Sequence, residues 1–375
     1  MLLKGIKVLD LSNLLPGPMC SLFLADLGAD VVKIESLNGD PMRYFEAIKK
    51  NTPSPYFLAL NRNKRSISIN LKTNEGRKIF MRLSRDADVI IEGFRPGKVD
   101  ALGIGYKAIK KINPKIIYCS ITGYGQKGAY KNKAGHDLNY VALSGVLNVV
   151  SKKPFVAGVQ IADVSSALIA AFAIVSSLFY REKHGRGNYI DIAVLNGALS
   201  VIGMHIAYSS ISKNPNSTLS GSKACYNVYE TKDGKYVTLG AIENKFWESF
   251  CNSLRRKDLL PKQMDSNKKT IKDMQRLFKS KTMNEWVILN KKYDFCCEPV
   301  KKIEGVLRDK HLKDNKILIQ LDGLKQIAMP VVFSSIERLN YTKAPKLGEH
   351  TSKILSSIGY NEESIRNLRI KGVLS

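Results

Sequence analysis

Residues 6–35, IKVLDLSNLLPGPMCSLFLADLGADVVKIE, spell out one βαβ unit in thirty residues. Ile6 to Leu11 is a short apolar run that reads as a strand. The PGP at Pro16 to Pro18 opens a helix through Leu27, because proline is tolerated in a first helical turn and little else of regular structure accepts it. Asp30 to Ile34 (DVVKI) reads as the next strand. The pattern then repeats: SISINL at 66–71 alternates like a strand and Thr73 stands ready to cap the following helix, while DVIIE at 88–92 and KIIYCSI at 115–121 read as buried strands. Strands that alternate with helices imply an α/β fold with a mainly parallel sheet covered on both faces. The turn after the first strand lacks GxGxxG, which argues against a standard NAD site.

Two long helical patterns follow, around 164–182 and 190–209, split by HGRGN. The character then changes. Residues 225–242 read as short strands around the Asp233-Gly234 turn, and short basic helices continue to about 330. The expected division is a large domain over 1–199, a smaller α+β domain over 200–330, and a segment over 331–375 that returns to the large domain.

Composition narrows the function classes. A chain of 375 residues with 44% hydrophobic and 25% charged residues reads as a globular protein of two domains. The opening MLLKGIKVLDLS has neither an apolar stretch long enough for a signal peptide nor a small-residue cleavage site, so a cytoplasmic protein is expected. The longest apolar segment, Ala167 to Tyr180, contains Ser176 and Ser177 and reads as a buried helix, with no membrane partner. Six scattered cysteines without CxxC spacing read as reduced thiols, and five dispersed histidines make a metal site an unpromising reading. The net charge of +26 raises nucleic acid as a partner. Its lysines, however, are spread along the whole length in pieces such as IKK, NKK and KKIN. That describes solvated faces without a focused patch, so no nucleic-acid partner is expected. A polyanionic small molecule would use only a few of these cations.

Several segments, taken in order, resemble one family. They are the opening 6–35, then NRNKRSISINLK (61–72), DVIIEGFRPG (88–97), TGYGQKG (122–128), AGHDLNYVALSG (134–145), IADVSSALIAAFAIVSSL (161–178), GRGNYIDIAVLNGAL (185–199), GAIENKFW (240–247) and GEHT (348–351). Together they resemble the class III CoA-transferases (CaiB/BaiF-like), and within that family the sequence looks most like the α-methylacyl-CoA racemases. The resemblance implies a Rossmann-like large domain, a small domain, an interlocked homodimer, and an acyl-CoA substrate that carries its own CoA, with no further cofactor.

The chemistry so implied is removal of the proton beside a thioester carbonyl and its return to the opposite face, with the carbonyl oxygen stabilised as an enolate. His136 in AGHDLNY carries an imidazole, a group that titrates near neutrality and suits such work; read alone, it fits a capping or surface histidine better. The racemases of the family place their catalytic histidine in this segment, where the transferases usually have tyrosine. Asp163, between AGVQIA and a strongly apolar helix, reads as an N-cap whose amides and dipole favour the ionised carboxylate. The resemblance makes it the second acid/base of a racemase or the nucleophile of a transferase, and neighbouring amides at that helix start are candidates for the enolate oxygen. Glu243 is implied as a partner that tunes His136 from the other protomer, with Asp137 as a second supporting carboxylate. For the CoA, matching segments put Ile69, Asn70, Leu71 and Lys72 along the nucleotide and Arg95 near the phosphates. Gly135, Leu138, Asn139 and Tyr140 lie along the pantetheine and thioester, with Lys33 adding charge. Ser36 stands where racemases often carry an arginine, so that phosphate contact falls to another cation.

Overall fold

The computed structural model describes residues 1–50, 52–151, 153–212, 218–336 and 340–375. Its contacts divide the chain into two units. The first comprises Met1–Asn148, Pro154–Ile202 and Lys316–Ser375; the second comprises Val149–Lys153 and Gly203–Asn315.

The first unit is built on a six-stranded sheet: β1 (Lys7–Asp10), β2 (Asp30–Glu35), β3 (Lys64–Ser68), β4 (Val89–Glu92), β5 (Ile117–Thr122) and β6 (Asn188–Ala193), in the order β3-β2-β1-β4-β5-β6. Every pairing is parallel, from Val31↔Lys64 at one edge to Ile117↔Asn188 at the other. β4 and β5 are buried along their whole length, as the apolar runs required. Each fully buried Ile or Val there contributes about 1.5–3 kcal/mol. Thr73 caps the Asn74–Arg85 helix, its hydroxyl accepting from the Gly76 N–H at 3.0 Å.

Residues 190–209 correct the expectation of a single helix. NYIDIA forms the sixth strand, and helices follow only at Val194–Val201 and Gly203–Ile211. A short apolar run suits either period, and here the free edge of β5 decides in favour of strand.

The Ile161–His184 helix packs against β5, β6 and the Pro16–Asp26 helix. It is 24 residues long, with a mean hydropathy of 1.9 over its most apolar window, so by length and composition it is able to cross a membrane. The expectation of a buried helix holds for one face only: Ala162, Ala167, Ala170 and Ile174 are buried, while Leu168, Phe172, Val175 and Phe179 stand exposed at four-, three- and four-residue intervals.

The chain rejoins the first unit at Lys316, earlier than the 331 expected, because the hairpin of β10 (Leu318–Leu321) and β11 (Leu324–Ile327) belongs to it. Buried Gln326 on β11 accepts from Arg62 Nη1 at 3.1 Å. Farther on, the His350 N–H donates to Ser66 O on β3 at 2.9 Å, and Ile354, Leu355, Ile365 and Leu368 join the core under the sheet.

The second unit holds an antiparallel sheet, β7 (Tyr226–Glu230), β8 (Tyr236–Gly240) and β9 (Cys297–Pro299). Its core is aromatic, with Tyr229 stacked on Phe278 at 4.4 Å beside Phe250 and Trp286. All six cysteines are free thiols.

Candidate active site

In this strand order the crossovers turn one way from β1 and the other way from β4. Neighbouring strands whose connections diverge leave a crevice outside their carboxyl ends. The chain leaves β1 through Ser12, Asn13, Leu14, Pro16 and Gly17, and leaves β4 through Gly93, Phe94, Arg95 and Pro96. With Ile121, Thr122, Gly123 and Val194 at the ends of β5 and β6, these exits line a cavity of about 520 Å³. The remaining wall is Lys131, Lys133, Ala134, Gly135, His136, Asn139, Tyr140 and Asp163. A larger, shallower groove of about 610 Å³ lies along the Asn74–Arg85 helix, with Arg77, Lys78, Arg82 and Arg85 on its wall. It offers cations but no histidine or carboxylate, whereas the smaller cavity holds both.

His136 stands at the N-cap of the Asp137–Leu143 helix. Its backbone is pinned on both sides. Asn139 Oδ1 accepts from the His136 N–H at 3.0 Å, and the Tyr140 hydroxyl donates to Gly135 O, the carbonyl just before the histidine, at 2.8 Å. Tyr124 packs edge-on against Tyr140 at 5.1 Å. A side chain at position 135 would meet both rings, since a Cβ there lies 2.8 Å from Tyr140 Cε1 and 2.9 Å from Tyr124 Oη.

Asp163 is not an N-cap. Gln160 occupies that position, and Asp163 is the third residue of the Ile161–His184 helix. Its amide is also not free for an enolate oxygen, because it donates to Asp137 Oδ1 at 3.0 Å. Nor is its carboxyl held in the ionised range. Burial, and second the charge of Asp137, push it up to about 7.

Arg95 lines the cavity, joined there by Lys131 and Lys133. Gly135, Asn139 and Tyr140 line it as well, while Leu138 is exposed outside it. The nucleotide candidates lie elsewhere. Ile69 is a core residue, its N–H donating to Glu35 O at 2.8 Å, and Asn70 Oδ1 accepts from the Lys72 N–H at 3.1 Å. Leu71 packs on the same core and Lys72 is exposed. Lys33 corrects the expectation that it adds charge for the CoA: it is fully buried, 2.9 Å from Asp40 Oδ2, and has no ammonium donor facing solvent. Glu243 belongs to the second unit, exposed at the N-cap of the Asn244–Ser253 helix.

Sequence reasoning missed Lys131, Lys133 and the β1 exit. Behind the β4 exit, outside the cavity lining, Glu92 Oε2 accepts from the Phe94 N–H at 2.8 Å, and burial pushes its carboxyl up to about 7. The signal for the exits is the strand order, which becomes usable only once the pairing is known.

A Rossmann-type sheet with a histidine and a half-buried acid at its switch point defines the class of molecule: an α/β enzyme built for proton or acyl chemistry in a crevice lined by cations. Its family follows from comparison. The model of CoA-transferase family III matches residues 3–351. The human succinyl-CoA:glutarate CoA-transferase is 32% identical over 99% of this chain and 90% of its own. The human α-methylacyl-CoA racemase is 32% identical over 98% of this chain and 96% of its own. Among solved structures, a CaiB/BaiF family protein from Brucella suis superposes with a TM-score of 0.84 at 29% identity, covering 95% of this chain and 99% of that one. The chain belongs to CoA-transferase family III.

Proposed function

We propose that the protein racemises 2-methyl-branched acyl-CoA thioesters, with His136 and Asp163 as the two proton-transferring groups. Overall identity is the same to a racemase and to a transferase, so the observation that supports this reading has to be local. It is the cavity itself: an imidazole and a carboxyl with a raised pKa, from two different helices, line one crevice.

On this reading one group takes the α-proton and the other returns a proton to the opposite face. A carboxyl held at about 7 serves both halves of a reversible transfer, since its two forms are comparably populated near neutrality. Arg95, Lys131 and Lys133 supply charge for the CoA phosphates in place of the arginine absent at Ser36. The CoA arrives as part of the substrate, and the chemistry calls for no further cofactor. A homodimer belongs to the same reading: the exposed Leu168, Phe172, Val175 and Phe179 form an apolar stripe of the kind a second copy covers.

The test is incubation of one enantiomer of a 2-methylacyl-CoA in heavy water, following optical purity and α-label together. Racemisation with label uptake and no acid acceptor supports the proposal. Turnover only when a second carboxylic acid is added, with an Asp163 thioester trapped by borohydride, makes the protein a CoA-transferase instead.

A further inference from the structure

Leu14 holds φ +65°, a left-handed conformation that a leucine rarely adopts, and it does so on the wall of the cavity. A buried ion pair keeps it there. Asp40 Oδ1 accepts from the Leu14 N–H at 3.1 Å and from the Met42 N–H at 2.9 Å. Asp40 Oδ2 lies 2.9 Å from Lys33 Nζ, which donates in turn to Ser12 O at 2.9 Å. The β1 exit is thus gripped on both sides of Asn13, the carbonyl before it by the lysine and the amide after it by the aspartate. The Ser12 N–H is held as well, by Asp10 Oδ1 at 2.9 Å. Both side chains of the pair are completely buried.

Taking two charges wholly out of water is a poor route to stability, because apolar residues of similar volume often do as well. Fixing a strained loop at the mouth of a crevice gives the pair a use that apolar residues lack. Building on the reading of this crevice as a CoA-thioester site, we propose that Lys33 and Asp40 are positioning residues that lock the Ser12–Leu14 loop in the form that receives the CoA thioester.

Two charge-neutral variants test it. K33M/D40L removes both grips while keeping apolar volume; K33M/D40N removes only the lysine grip, since the asparagine oxygen still faces the Leu14 amide. Three readouts are taken on the full chain: affinity for free CoA by titration calorimetry, kcat and KM for the acyl-CoA thioester, and hydrogen exchange of the 12–14 amides. In K33M/D40L, CoA affinity falls about tenfold or more and KM rises with it, kcat stays within about threefold, and the loop amides exchange faster. K33M/D40N gives a smaller change of the same kind. CoA affinity equal to wild type in K33M/D40L overturns the proposal, as does an unchanged loop. Protection lost evenly across the whole sheet also overturns it, by making the pair structural. Wild-type protein that fails to bind CoA removes the underlying reading and the proposal with it, and is recognised without any variant.

Discussion

The Asp163 N–H donates to Asp137 Oδ1 at 3.0 Å, so the first turns of two helices are tied through one carboxylate. The same contact brings a negative charge beside the Asp163 carboxyl, in a site that burial has already made costly for ionisation. One residue therefore fixes the position of an acid and sets when it titrates.

Asp137→Asn separates those roles. The asparagine oxygen still accepts from the Asp163 amide, but the charge is gone, and the Asp163 pKa moves down from about 7. On the proposed racemase reading, the carboxylate is the active form for the enantiomer whose proton Asp163 takes. The acid limb of the kcat/KM profile is then expected to shift to lower pH. An unmoved limb would remove Asp137 from the electrostatics of the site.

The raised pKa carries a stability consequence of definite sign. Asp163 titrates at about 7 in the folded chain against 3.8 for a free carboxyl, so between those values the folded state binds more protons than the unfolded one. Stability therefore falls as pH rises through that window, by about 1–4 kcal/mol. Asp163→Asn, which cannot ionise, is expected to be inactive and more stable than wild type at pH 8, with the difference closing below pH 4. Thermal melts at the two pH values decide the matter; equal melting at pH 8 would mean the carboxylate is not desolvated.

How much of this was legible in the residues alone varies with the range of the interaction. The 6–35 unit and the buried β4 and β5 are local, since apolar runs and the proline at the helix start decide them. β6 was read as helix because only the edge of β5, distant in sequence, makes it a strand. His136 and Asp163 were both singled out; His136 stands at a helix start as read, but the environment of Asp163 was misjudged. The Asp163 reading assumed that helix amides would hold the carboxylate, and nothing in AGVQIAD reveals that Asp137 takes the amide and adds a like charge. Lys33 was read as adding charge for the CoA because DVVKI does not reveal that Asp40, just beyond the strand, and Ser12 O, from the neighbouring strand's exit, take up its ammonium inside the fold.

His136→Ala tests the division of labour between the two groups. With the imidazole gone, inversion in either direction is expected to fall about 10²–10⁴-fold, while exchange of the α-proton of one enantiomer survives through Asp163. Deuterium uptake without loss of optical purity is the expected signature. Full racemisation by the variant would take the histidine out of the mechanism.

The last prediction concerns how firmly the imidazole must be held. Tyr140 donates to Gly135 O at 2.8 Å, and its ring leaves no room for a side chain on Gly135, where a Cβ would lie 2.8 Å from Cε1. Tyr140→Phe deletes one hydrogen bond, worth about 1 kcal/mol, and leaves the ring in place. Gly135→Ala keeps the hydroxyl but sets a Cβ within 3.0 Å of Tyr140 Cε1 and Tyr124 Oη, so the segment and the two packed rings must shift apart. A displacement of this order is enough to cost about 10²-fold in rate when the moved group carries a proton. The expected order of kcat is therefore wild type, then Tyr140→Phe, then Gly135→Ala, with KM for the acyl-CoA changing less than kcat in both variants. A Gly135→Ala protein that turns over as fast as wild type would show that the segment carrying His136 relaxes freely, and that the tyrosine clamp has no part in the chemistry.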